Sequence, residues 1–169
     1  IIVLRDLAGQ LGVSRQTLSQ YLTYLEQAFL LRKLYNFSRP RRKSERKLKR
    51  YYPTVPSADL LFREDPVSRS QAFEWFVVNQ LRAEYFWRDA YKHEVDVVLP
   101  NDVPTPLEVK SGRVGLRGLR AFMRKFGVSR GYVITRERDE RHDLEEGQVD
   151  EVPAYRFLLQ AEELIGSSH

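Results

Sequence analysis

The sequence predicts an α/β chain in two parts: a helix-turn-helix front closed by a strand hairpin, and an α/β back half whose sheet carries carboxylates. Three observations point there. Apolar residues recur at helical spacing through the first thirty positions, with Gly12 interrupting them. Short β-branched and aromatic runs, bounded by Pro, Asn, Asp or Gly, fill the stretch from Tyr85 to Thr135. The charge also changes sign: residues 1–52 carry 12 Lys+Arg and 3 Asp+Glu, whereas the remainder carries 16 and 20. A basic front favours a polyanionic partner, since Lys and Arg near phosphates release condensed counterions.

Composition narrows the classes. The 169 residues suit one ordinary domain or two small ones. With 42% hydrophobic and 30% charged residues the chain has the balance of a folded protein. No apolar run approaches the about 18 residues of a membrane-spanning helix, so no membrane partner is expected. The absence of cysteine excludes a disulfide scaffold, a thiolate zinc site and cysteine catalysis. Three scattered His argue against an all-His metal site. No secretory signal is visible, and the expected compartment is the cytoplasm. The opening Ile1-Ile2-Val3-Leu4 lies inside an apolar run and predicts a fragment of a longer protein. Gly166-Ser167-Ser168-His169 resembles the start of a purification tag and is set apart from the fold.

Leu4, Leu7, Ala8 and Leu11 predict a short helix that ends at Gly12. Ser14 is a good N-cap for a second helix with Leu18, Tyr21, Leu22, Leu25 and Phe29 as its apolar stripe. Arg15, Gln16, Ser19 and Gln20 lie on the other side, and such side chains can bond base edges and phosphates in a major groove. Leu30 to Phe37 and Leu48 to Pro53 predict two strands, the wing of a winged helix. Between them, Arg39 to Arg50 holds eight basic residues and one acidic, so Arg41, Arg42 and Lys43 suit a phosphate backbone.

A turn-rich link from Pro53 to Pro66 leads to a helix beginning near Ser70. On its wheel, Phe73, Phe76, Val77 and Leu81 form the buried stripe, and Glu74 falls between Leu81 and Val78. An ionised carboxylate there costs several kcal/mol unless a cation or donors meet it. Strands follow at Tyr85–Arg88, His93–Pro100 and Pro106–Gly112. Alternation puts Glu94 and Asp96 on one face opposite Val95, Val97 and Leu99, and Glu108 with Lys110 opposite Leu107 and Val109. Carboxylates converging in this way need a positive charge among them. Mg²⁺ is the natural candidate, because it takes hard oxygen ligands and leaves room for water and substrate phosphate. A helix with Leu116, Leu119, Phe122, Met123 and Phe126 inward follows, with Arg117, Arg120, Arg124 and Lys125 as a basic rim. Then come a strand at Gly131–Thr135, an acidic loop from Glu137 to Glu151, and a last apolar segment from Val152 to Leu159.

The order Glu74, Glu94-Val95-Asp96, Glu108-Val109-Lys110, then helix and strand, is similar to the core of the PD-(D/E)XK nuclease superfamily, to which restriction endonucleases and archaeal Holliday junction resolvases belong. More narrowly, Phe73-Glu74-Trp75-Phe76-Val77, Phe86-Trp87-Arg88, Glu94-Val95-Asp96 and Pro106-Leu107-Glu108-Val109-Lys110-Ser111 resemble the C-terminal half of archaeal and bacterial AAA-type ATPases. In that family a nucleotide-binding domain comes first, then a winged helix, then this nuclease-like domain. The resemblance implies a winged helix-turn-helix over 1–56 that lacks its first helix, a restriction-endonuclease-like α/β/α domain with a mixed sheet over 57–165, and a tag remnant at 166–169. It implies Asp96 and Glu108 as metal ligands with Glu94 as an addition, Lys110 as the catalytic lysine, and Glu74 as the helical acid that supports metal or water. The cofactor would be Mg²⁺ or Mn²⁺, and the partners duplex or branched DNA and an ATPase domain on the N-terminal side. No G-x-x-x-x-G-K-[ST] occurs, so ATP hydrolysis is not assigned to these residues. The resemblance speaks to fold more firmly than to activity.

Three functions therefore stand at this point. The leading one is a metal-dependent DNA-cleaving module. The second is a non-catalytic DNA-binding or regulatory module that keeps a degenerate nuclease fold. The third is a protein-interaction module that docks on an ATPase domain.

Overall fold

A computed structural model describes residues 4–39, 48–57 and 62–166, with the side chains of 4–6 and 161–166 excepted. Helix α1 (Leu4–Gln10) ends at Gly12, which takes the left-handed φ of 65° that the turn requires. Ser14 then caps α2 (Arg15–Gln27), its hydroxyl accepting the Thr17 N–H at 3.0 Å. The buried stripe of α2 is narrower than expected. Leu18 and Leu22 pack with Ala8, Leu31 and Tyr51, whereas Tyr21, Leu25 and Phe29 are exposed. The two helices rest on the following hairpin, and among the described residues nothing covers the other flank of α2.

Strands β1 (Leu31–Asn36) and β2 (Lys49–Pro53) pair antiparallel, with Leu34 opposite Arg50. Their connecting tip, with Arg41, Arg42 and Lys43, lies outside the described residues. The hairpin is also part of the larger sheet. β1 runs parallel to β3 (Tyr85–Arg88), and the Asn36 amide clamps the pair by donating to the Arg88 carbonyl at 2.9 Å and accepting its N–H at 3.0 Å. Leu34 shares a core with Val77, Val78 and Phe86. Strand pairing and packing thus run across the division expected at residue 56.

Helix α3 (Pro66–Gln80) starts four positions before Ser70, because Asp65 accepts the N–H groups of Val67 and Ser68 and Pro66 suits the first turn. Val77, Val78 and Leu81 are buried, but Phe76 is 40% exposed. The Trp75 indole and the Asn79 amide both donate to the Pro53 carbonyl. That fixes one flank of α3 against the hairpin and turns Glu74, not Phe76, to the buried side.

Next come β4 (Glu94–Val95), β5 (Val97–Leu99), β6 (Thr105–Val109), α4 (Arg117–Phe126), β7 (Arg130–Thr135), β8 (Glu140–Leu144), β9 (Gly147–Pro153) and α5 (Ala154–Gly166). The described residues make two mixed sheets, in the orders β2-β1-β3-β4 and β5-β6-β7-β9-β8. β6, β7 and β9 are mutually parallel; β4 against β3, β5 against β6 and β8 against β9 are antiparallel. One core joins strand residues to α3 and to Phe157 of α5, and a second joins them to Leu119, Phe122, Met123 and Phe126 of α4. The molecule is a mixed α/β protein in which helices cover both sheet faces.

Two expectations are corrected. The run 93–100 is not one strand: it breaks at Asp96, so that Val95 joins the α4 core while Val97 and Leu99 join the α3 core. At the break the Asp96 carboxylate accepts the Val109 N–H at 2.9 Å, replacing a ladder bond. The stretch 137–151 is not a loop but largely the β8–β9 hairpin. Several of its charges are met in place, since Asp150 accepts from Arg130 and Arg141 and Glu151 meets His142. Among the described residues no helix is long and apolar enough to cross a membrane.

Candidate active site at the seam between the sheets

The break at Asp96 hands the chain from one sheet to the other, and the acidic side chains gather at this seam. α3 supplies Glu74, β4 supplies Glu94, the break itself Asp96, and β6 supplies Glu108 with Lys110 just beyond its end. β2 of the hairpin adds two residues that the sequence does not assign to this site, Arg50 and Tyr52.

Arg50 is 7% exposed and stacks on Phe86 with its guanidinium carbon 4.9 Å from the ring centroid. Its Nη1 lies 3.3 Å from Asp96 Oδ1 and 3.8 Å from Glu74 Oε1, and its Nη2 pairs with Glu94. Tyr52 donates its hydroxyl to Glu74 Oε1 at 2.6 Å. Glu94 is further drawn to Arg88, 3.6 Å away. Three of the four expected carboxyl groups therefore face a guanidinium that sequence periodicity could not place, because it arrives through the β1–β3 pairing.

Glu108 is different. One oxygen meets Lys110 Nζ at 2.7 Å, while Oε2 is buried with no hydrogen-bond partner. Burial, and next the charge of Asp96, push the Glu108 carboxyl up to about 8. The same two causes raise Glu74, although the Tyr52 hydrogen bond and Arg50 oppose them. Burial disfavours the Lys110 ammonium, but Asp96 and Glu108 outweigh it and hold its pKa above the ordinary value. Four carboxyl groups share Arg50, Lys110 and, at Glu94 alone, Arg88. The fully ionised cluster is one positive charge short, and the deficit falls on Glu108.

That donor set fits a hard divalent cation. Mg²⁺ needs only one or two protein carboxylates, its other positions going to water and phosphate. Asp96, whose two oxygens also accept from Arg50 and the Val109 N–H, and Glu108 would supply them, and the orphaned Glu108 Oε2 is an acceptor that no protein donor fills. Glu94 is committed to Arg50 and Arg88 instead.

Glu74 and Lys110 also line a cleft of about 650 Å³ whose wall includes Arg69, Arg113 and Arg136. Arg136 is held in place, donating to the Arg69 carbonyl at 3.1 Å and lying 5.5 Å from the Phe73 ring centroid. These arginines went unmarked because they are isolated in sequence. A larger cleft of about 750 Å³ lies by β7, β8 and β9, but its charges cancel locally: Arg130 and Arg141 pair with Asp150, and Arg156 with Asp139. Of the expected nucleic-acid residues, Arg15, Gln16, Ser19 and Gln20 are exposed on α2. Arg120 and Arg124 of the expected basic rim are instead paired with Glu146.

Comparison with known proteins adds family matches and no activity. Residues 69–155, just over half of the chain, match a family described as Domain of unknown function (DUF4143). Residues 1–54 match a second, described as Domain of unknown function (DUF8612). No curated protein and no solved structure matches.

Proposed function

This chain belongs to the DUF4143 family, and we propose that it is a DNA-binding, nuclease-like module that hydrolyses phosphodiester bonds with a divalent metal ion. We read residues 1–56 as a winged helix-turn-helix and the remainder as a PD-(D/E)XK-like domain, working beside the ATPase domain that the sequence resemblance implies. The order helix, four short strands in two antiparallel pairs, helix, parallel strand supports this reading. So does the cleft that joins Glu74 and Lys110 to Arg69, Arg113 and Arg136, a charge pattern suited to a phosphate backbone. The observation that carries the reading is Glu108: a buried carboxylate oxygen without a partner, beside Asp96 and a paired lysine, at the point where two sheets part.

The residues divide the work. Arg69, Arg113 and Arg136 bind and orient the backbone in the cleft. Asp96 and Glu108 would hold Mg²⁺ or Mn²⁺, which polarises a phosphoryl oxygen and lowers the pKa of bound water. Lys110, fixed by Glu108, offers a proton donor to the oxygen on which charge builds. Glu74, held by Tyr52, keeps a second acceptor at the mouth of the cleft.

The test is incubation of the chain with supercoiled and branched DNA and Mg²⁺ or Mn²⁺. Nicking that disappears in Asp96→Ala is the expected result. No cleavage, or cleavage indifferent to that substitution, rejects the hydrolytic reading. A second reading rests on Arg50, which already lies among three of the carboxylates. On it the module binds DNA without cutting, and calorimetry would find salt-sensitive DNA binding but no divalent-ion heat at Asp96 and Glu108.

A further inference from the structure

A second cluster of metal-ligating side chains lies two strands away, on the β8–β9 hairpin, and the nuclease-like site makes no use of it. Glu140, His142 and Glu151 each bring one donor atom within 4.8 Å of the others'. Glu140 stands directly opposite Glu151 across the antiparallel pair, and His142 is the next residue on that face. Like charges in direct cross-strand register are destabilising unless a cation sits between them.

The pair is also unequal. Glu140 is exposed, and among the described residues no hydrogen bond or ion pair is shown for it. Glu151 is 2% exposed. Its Oε1 lies 2.7 Å from His142 Nε2, while its Oε2 is buried without a hydrogen-bond donor. Arg138 pairs with that oxygen only loosely, its Nε 3.5 Å away, and its Nη2 is engaged by the Gly112 carbonyl.

We infer that Glu140, His142 and Glu151 form a site for a borderline divalent transition ion of the Zn²⁺ class. An imidazole with two carboxylates selects such an ion over Mg²⁺, which prefers oxygen alone. Three protein ligands and one water complete a tetrahedral shell. The short His142–Glu151 contact is the metal-free arrangement: the ion takes the place of the shared proton, and the carboxylate opens slightly to admit it. Glu108, Val133 and Glu151 are in register across β6, β7 and β9. At about 4.8 Å per strand the ion would stand roughly 10 Å from Glu108, well beyond the separation of a two-metal catalytic pair. Bound there, the ion would tie the edge hairpin to the buried Glu151.

The experiment is calorimetric titration of Zn²⁺, with Mg²⁺ in parallel, into the full chain. Wild type should take up one Zn²⁺, with affinity at least roughly tenfold weaker in Glu140→Gln and in His142→Asn. The Asp96→Asn/Glu108→Gln double variant should bind Zn²⁺ at the hairpin as wild type does. Glu140 is exposed, so Glu140→Gln tests the site even if His142→Asn fails to fold. Absence of Zn²⁺ binding overturns the inference. So does binding indifferent to both hairpin variants, or binding lost only in the Asp96→Asn/Glu108→Gln chain, which would assign the ion to the seam.

Discussion

Replacing Glu108 by Gln should stabilise the protein in alkaline solution and leave it almost unchanged in mild acid. Glu108 titrates near 4.5 in the unfolded chain and near 8 in the folded one. A carboxyl raised in this way contributes its stability in full below the unfolded value, and loses it as pH rises through the folded value. At about 1.36 kcal/mol per unit, the loss between pH 4.5 and pH 8 reaches about 5 kcal/mol. Gln imitates the protonated acid in shape and charge and does not titrate. The variant should therefore match wild type at about pH 4.5 and exceed it by up to that amount above pH 8. For a chain of this length that is a difference of about 10 °C or more in melting temperature. Thermal melts of both proteins at one-unit pH steps measure it. Repeating the series with Mg²⁺ should raise wild type alone at high pH, because the ion stabilises the ionised form. A difference that does not change with pH refutes the buried, charge-deficient Glu108. A pH-dependent gap that Mg²⁺ does not narrow refutes its role as a metal ligand.

Two further outcomes follow from the geometry. Arg50→Met leaves three carboxylates without their guanidinium, so urea melts should show a loss of about 3–5 kcal/mol, partly recovered by Mg²⁺. Gly118→Ala would set a Cβ 1.8 Å from the Glu94 carbonyl oxygen and should cost about 1–3 kcal/mol in the same melts, whereas Gly115→Ala, with nothing within 4 Å, should change little.

Local pattern made much of this molecule legible. The strand Tyr85–Arg88 was readable from its aromatic run, buried on both faces, and the inward face of α4 from apolar residues that keep helical period. Glu74 was legible as an anomaly, a carboxylate at an apolar wheel position. The β8–β9 hairpin was not, because the inward positions of Gly147–Pro153 include Asp150 and Glu151, whose charges are met by arginines and a histidine distant in sequence. Periodicity reads hydrophobicity and cannot see such compensation. The Asp96 break escaped for a related reason: a side chain imitates a backbone acceptor there, and the alternation slips without a glycine or proline to mark it. Arg50 was counted among the eight basic residues of the hairpin, but its neighbours in space come from β4, α3 and the seam. Only the parallel docking of β1 on β3 brings them together.

That docking bears on how the chain can be taken apart. A protein cut after residue 56 would strip β3 of its neighbour, leaving a bare row of amide and carbonyl groups along an edge, and would withdraw the guanidinium and phenol that hold Glu74 and Asp96. The acidic seam of the back half is finished by a ribbon borrowed from the front, so a cut there would take away part of the site itself.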